Sequence, residues 1–235
     1  MMQMVILAGG LGTRLKEISE GRPKAMMIVN GRPFIEYQLE QLADLELTNI
    51  LMLIGYGGEM LRSHVGDGSK WGVTVDYVQE DPSALLGTGG AIINAMPKLE
   101  DEFMTLYGDS YLPVDFRDVI AHYRGRDVPY LMTVYKNDGL WDASNTRIDG
   151  DWVTYYNKKA VPGEADYIDY GMSIIRKEVM QRYAAEPLPL DMARIQSELV
   201  ASHEMGALKV TERFYEIGKP SALLEFEDWI KARTG

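Results

Sequence analysis

An α/β fold with a mostly parallel sheet is predicted for this 235-residue chain by three observations. Short apolar runs alternate with longer stretches of helical periodicity, the pattern of stacked βαβ units. The first run, Met4-Val5-Ile6-Leu7-Ala8, opens directly into Gly9-Gly10-Leu11-Gly12, a glycine turn at the end of a strand. Hydrophobic residues make up 46% of the chain, enough at this length for a sizeable core. We therefore expect one domain over 1–235, with a Rossmann-like, nucleotide-binding half over 1–135 and a second half over 136–235.

Taken in order, strands are expected at 3–8, 49–54, 74–78, 103–107 and 130–134. Helices fall between them. Residues 33–45 set Ile35, Leu39 and Leu42 on one face, 58–65 form a shorter helix, 89–96 follow a glycine loop, and 115–124 start on an acidic N-terminus. After Lys136 the chain turns polar and turn-rich, with brief strands at 146–148, 152–156 and 168–175 and helices at 177–185 and 191–202. The final helix, 220–232, places Leu223, Phe226 and Ile230 on one face with Trp229 beside them. There is no linker, repeat or low-complexity segment. The second half thus reads as a small cap over the strand ends, where open α/β sheets bind ligands.

The formal charge of -11 and a pI near 4.8 argue against nucleic-acid and membrane partners, which need basic stripes. Polyanionic small ligands remain compatible if placed cations, helix N-termini and a divalent metal make a local positive pocket. Cysteine is absent, which excludes disulfides, thiolate nucleophiles and cysteine zinc sites. The apolar run at 4–8 is too short for a signal or membrane segment. A cytoplasmic protein is expected, with homo-oligomerisation left open.

The glycine loop continues as Thr13-Arg14-Leu15, and Pro23-Lys24 follows after a polar gap. Glycines let backbone N–H groups approach phosphate oxygens, and the two cations neutralise charge that the amides leave. Common nucleotide fingerprints fail here: G-x-G-x-x-G would need glycine where Leu15 stands, and a P-loop would need Gly-Lys-Ser/Thr. A dehydrogenase is disfavoured further because the second strand ends at Ile54-Gly55, without an acid for a ribose.

The full string G-G-x-G-T-R-L followed by P-K resembles the signature of the sugar-1-phosphate nucleotidyltransferases. Further segments are similar to that family, in the same order, from Met4 to about Phe226. Gln79-Glu80 and Leu86-Gly87-Thr88-Gly89-Gly90-Ala91 resemble its base-and-sugar segment; glycines used only for close helix packing are the alternative. Tyr107-Gly108-Asp109 ends the fourth strand, and a carboxylate beside two phosphorylated substrates suits Mg²⁺. Asn157-Lys158-Lys159 stands where the family has a glutamate-lysine pair, so the acid is missing and either lysine can be the ligand; Lys158 has the better register. Phe214-Tyr215-Glu216-Ile217-Gly218-Lys219-Pro220 resembles the aromatic-x-Asp-x-Gly-Thr-Pro motif, with Glu216 for Asp and Lys219 for Thr.

The resemblance implies a nucleotide-diphospho-sugar transferase type of fold and a reaction joining a nucleoside triphosphate to a sugar 1-phosphate, with Mg²⁺-dependent release of pyrophosphate. It assigns Arg14, Lys24 and Asp109 to catalysis, and Leu7, Ala8, Gly9, Gly10, Gly12, Thr13, Gln79, Gly87 and Gly89 to the nucleotide. Asn145, Lys158, Asp169 and Gly171 go to the sugar phosphate, and Asp109 and Glu216 to the metal. The attacking phosphate is already ionised, so no general base is needed, and His64, His122 and His203 lie outside the motifs. Within the family, D-glycero-α-D-manno-heptose 1-phosphate guanylyltransferases look most similar, which would make the product GDP-heptose for surface polysaccharide. Cytidylyl or uridylyl transfer to another phosphorylated small molecule, and a catalytically weak protein that senses nucleotide sugars, are the alternatives.

Overall fold

The computed structural model describes residues 2–10, 19 and 21–234. In chain order its strands are β1 (Gln3–Ala8), β2 (Ile28–Val29), β3 (Arg32–Pro33), β4 (Asn49–Ile54), β5 (Thr74–Gln79), β6 (Glu102–Tyr107), β7 (Ser110–Tyr111), β8 (Tyr130–Lys136), β9 (Thr146–Asp149), β10 (Trp152–Tyr156), β11 (Tyr167–Arg176), β12 (Met205–Val210) and β13 (Tyr215–Glu216). The helices are α1 (Phe34–Asp44), α2 (Gly58–Val65), α3 (Gly87–Asn94), α4 (Phe116–Arg124), α5 (Lys177–Gln181), α6 (Met192–Ala201) and α7 (Pro220–Thr234). They fall into two compact units that interleave along the chain: Met1–Leu85, Leu106–Leu112 and Phe214–Gly235 in the first, Leu86–Thr105 and Pro113–Arg213 in the second.

In the first unit β5, β4 and β1 lie side by side and parallel, from Met4 opposite Ile50 to Ala8 opposite Ile54, and from Asn49 opposite Thr74 to Ile54 opposite Gln79. Central parallel strands are covered on both faces, hence the unbroken apolar runs rather than alternation; Met4, Val5, Ile6 and Leu51 are wholly buried. Helix α1 buries the expected face, with Ile35, Leu39 and Leu42 at zero exposure. Before it, β2 and β3 form a small hairpin through Asn30-Gly31, both at positive φ, the turn chemistry that this dipeptide favours.

The second unit departs from expectation. Its sheet is mixed rather than mostly parallel. β8 pairs antiparallel with β11 and parallel with β12, while β10 is antiparallel to both β12 and β9. β9 then returns to β11, Thr146 opposite Tyr167, so the strands β11, β8, β12, β10 and β9 close on themselves. β12 reads Met-Gly-Ala-Leu-Lys-Val, with neither strict alternation nor a purely apolar run, and its pairing with β8 and β10 makes it a strand. In β11 the pairing shifts register between Asp169 and Ser173, and Gly171 within that stretch has φ 93°. No helix of the described residues is long and apolar enough to cross a membrane.

Candidate active site

The carboxyl ends of β1 and β6 gather the first group of expected residues. Leu7 and Ala8 finish β1, and the Gly108 N–H donates to the Leu7 carbonyl at 3.0 Å. Asp109 follows, and Lys24 Nζ donates to its Oδ2 at 2.6 Å, the two side chains 23% and 22% exposed. Pro23 seats this lysine: its ring packs against Gly57, where a Cβ would lie 2.8 Å from Pro23 Cδ. Gln38 of α1, fully buried, donates from Nε2 to the carbonyls of Tyr107 at 2.9 Å and Ser110 at 2.7 Å, bracketing Asp109. Nothing in the sequence singles out this glutamine except a polar residue beside the apolar stripe of a helix.

Glu216 joins the same group through backbone pairing. It lies opposite Ser110 in the β13–β7 ladder, and the next N–H, of Ile217, donates to the Asp109 carbonyl at 2.9 Å. A side chain on Gly218 would stand 3.4 Å from Glu216 Oε1 and 3.9 Å from Lys24 Nζ, so the carboxylate and the ammonium flank that residue. The ladder is anchored by aromatic packing: Tyr215 lies 4.6 Å from Trp229, and Phe226 lies 5.2 Å from both Tyr111 and Phe34. Asp109 and Glu216 offer hard oxygen donors, and no cluster of three or more metal-ligating side chains exists among the described residues. That donor set fits Mg²⁺, which binds through one or two carboxylates and substrate phosphates, and not a closed all-protein site.

At the start of the glycine loop, a Cβ on Gly9 would fall 2.4 Å from Glu80 Oε1 and one on Gly55 would fall 2.8 Å from the Gly9 carbonyl. The end of the Glu80 side chain thus crowds both glycines, and at Gly55 the backbone carbonyl of Gly9 is the closer neighbour. Gln79 ends β5 and is exposed, as is Gly10. Gly12, Thr13 and Arg14 lie outside the described residues.

The sugar-side residues are all in the second unit, in two linked groups. Asn145 Oδ1 accepts from the Asp169 N–H at 2.9 Å, and Asp169 in turn accepts from the Gly171 N–H at 3.0 Å and from Gln196 Nε2 at 3.3 Å. Burial pushes the Asp169 carboxyl up to about 6, against the pull of those two donors toward the ionised form. In the other group both lysines are exposed, and Lys158 Nζ donates to Asp191 Oδ2 at 2.6 Å. Asp191 caps α6, accepting from the Ala193 N–H at 3.0 Å. Partial burial opposes ionisation of Asp191, but Lys158 and the Ala193 N–H outweigh it and hold the carboxyl below the ordinary range.

The glycines of the 86–91 loop pack closely against residues 188–190. The N–H groups of Gly89 and Gly90 donate to the Leu190 carbonyl at 2.9 and 3.0 Å, which caps α3 and starts it earlier than expected. A Cβ on Gly87, at φ 76°, would lie 2.5 Å from that same oxygen. The histidines sit in structural settings: His64 Nε2 is 2.8 Å from Glu36 Oε1, His203 stacks on Trp152 at 4.3 Å, and His122 is depressed by burial and by Arg126.

Comparison with known proteins gives relatives of one kind. A UTP–glucose-1-phosphate uridylyltransferase of Haloferax volcanii is 31% identical over 144 residues, 61% of this chain and 57% of that protein. A D-glycero-alpha-D-manno-heptose 1-phosphate guanylyltransferase of Campylobacter jejuni is 35% identical over 115 residues, 48% of this chain and 50% of that protein. The chain thus spans about half the length of the curated relatives it matches. Among solved structures, HddC from Yersinia pseudotuberculosis complexed with GMP-PN superposes with a TM-score of 0.79 at 26% identity, covering 98% of this chain and 100% of that one. The sequence profile described as nucleotidyl transferase matches residues 3–139, and with the glycine loop, Lys24 and Asp109 all inside that stretch, the chain belongs to the nucleotidyl transferase family.

Proposed function

We propose that the protein transfers a nucleotidyl group from a nucleoside triphosphate to a sugar 1-phosphate, releasing pyrophosphate. The observation that carries this reading is the convergence of the Lys24 ammonium with the Asp109 carboxylate at 2.6 Å, with Glu216 paired into the same turn. An oxygen of the sugar phosphate attacks the α-phosphorus in line, the bond from that phosphorus to the bridging oxygen breaks, and pyrophosphate leaves with the electron pair. Positioning and charge neutralisation supply the rate in such a transfer.

In this reading the amides of Gly9 to Thr13 cradle the triphosphate, Arg14 neutralises the departing pyrophosphate and Lys24 contacts phosphate oxygens at the reacting centre. Asp109 and Glu216 hold Mg²⁺, which when bound would supply charge to the phosphate oxygens. Gln79, Gly87 and Gly89 serve the base, and Asn145, Lys158, Asp169 and Gly171 serve the sugar phosphate. Similarity to the Campylobacter and Yersinia proteins supports GTP and a heptose 1-phosphate as the first pair to try. The test is a matrix of nucleoside triphosphates against sugar 1-phosphates, each with Mg²⁺, read by pyrophosphate release. Turnover of at least one pair is expected; a matrix with no pyrophosphate above the triphosphate-only blanks would refute the reading.

A further inference from the structure

In the family that this chain resembles, the sugar-phosphate lysine has an acid before it in sequence; here Asn157 stands there. Asn157 is neutral and turns toward its own loop, its Oδ1 accepting from the Lys159 N–H at 2.9 Å and its Nδ2 donating to the Tyr155 hydroxyl at 3.3 Å. Lys158 instead reaches a carboxylate 33 residues further on. Asp191 divides its two oxygens: Oδ1 accepts from the Ala193 N–H at 3.0 Å and the Thr88 hydroxyl at 3.3 Å, leaving Oδ2 for Lys158 at 2.6 Å. The Thr88 hydroxyl also accepts from the Met192 N–H at 2.9 Å, so the first turn of α6 and the glycine loop grip each other from both sides. The carboxylate therefore has a fixed direction before the lysine arrives.

We propose that Asp191 is a positioning residue for Lys158, tying the lysine to the glycine loop through Thr88. A free lysine loses considerable rotamer freedom when its ammonium is held at one point, and a preset carboxylate removes part of that loss from the binding step. The inference rests on Lys158 being the sugar-phosphate ligand. It adds that this lysine's placement depends on the loop carrying Gly87 and Gly89.

The test uses the full chain with the substrate pair that releases pyrophosphate. Asp191→Asn keeps a capping acceptor for Ala193 and Thr88 but removes the charge. It should raise KM for the sugar phosphate about fivefold, the upper range for an exposed ion pair, and leave KM for the nucleotide and the melting temperature unchanged. Lys158→Met should raise the same KM on the order of tenfold or more, the scale of a charge-assisted contact. The double variant should match Lys158→Met alone. An Asp191→Asn effect that persists undiminished without Lys158, or no effect at all, overturns the inference while leaving Lys158 as ligand. Wild-type KM in Lys158→Met overturns both readings. A readout independent of turnover is competitive acetylation of lysines: Lys158 should label faster in Asp191→Asn, and equal labelling overturns the inference.

Discussion

Asp169 offers the sharpest quantitative test of the sugar-side geometry. Its carboxyl titrates at about 6 in the folded chain against 3.8 for an ordinary aspartate, because burial penalises the charge more than Gly171 and Gln196 stabilise it. A folded value above the unfolded one means that the folded state binds the proton more tightly. The stabilisation is fully present below pH 4 and is lost as pH rises through 6. Two pKa units correspond to a total of about 3 kcal/mol, of which about half falls between pH 5 and pH 8. Asp169→Asn keeps the shape and an acceptor for Gly171 without the titration. Urea unfolding of both proteins at pH 5 and pH 8 should show the stability of the variant relative to wild type increasing by ~1.5 kcal/mol toward the higher pH. A difference that is flat with pH, or that runs the other way, would show that Asp169 is not held in the desolvated setting described here.

Four further outcomes follow from named contacts. Gln38→Met leaves the carbonyls of Tyr107 and Ser110 without their donor; it should destabilise by about 1–3 kcal/mol in urea unfolding and raise the Mg²⁺ concentration needed for half-maximal rate. Gly87→Ala meets both a positive φ and the Leu190 carbonyl, and should lower stability by about 2 kcal/mol or more; a melting temperature equal to wild type would contradict the packing. Glu216→Gln should cost activity that extra Mg²⁺ partly restores, with Glu216→Asp better tolerated, and an Mg²⁺ titration identical to wild type in Glu216→Gln would make this acid structural. Lys24→Ala and Arg14→Ala should each reduce turnover by orders of magnitude with the fold intact, and wild-type rates in both would remove the phosphate loop from the reaction.

Local signals in the sequence carried elements of both units. An apolar run covered on both faces, a helix stripe such as Ile35, Leu39 and Leu42, and an Asp before an apolar period at 115 and 191 are all set by short-range chemistry, and α1, α4 and α6 lie where those signals put them. The glycine loop, Lys24 and Asp109 stand out in the sequence for the same reason, since each belongs to a compact motif. In the second unit β8, β9, β10 and β11 lie close to the expected strands, whereas β12 and the order of pairing were not legible, because they depend on partners far along the chain. β12 has no periodicity of its own, and the closing of β9 onto β11 depends on one long-range pairing.

What the sequence alone determined, then, was which residues carry charge, which turns demand glycine and which stretches bury themselves. Tertiary structure decided which of those charges meet. Gln38 becomes the clamp on the Asp109 turn only when α1 is laid against it, Glu80 comes up against Gly9 and Gly55 only once β5 lies beside β4, and Lys158 is distinguished from Lys159 by a carboxylate 33 residues away. The physical reason is range. Propensity, capping and periodicity act over a few residues and leave their mark in the local sequence, whereas a hydrogen bond or ion pair between distant segments depends on directions that exist only after the chain has packed.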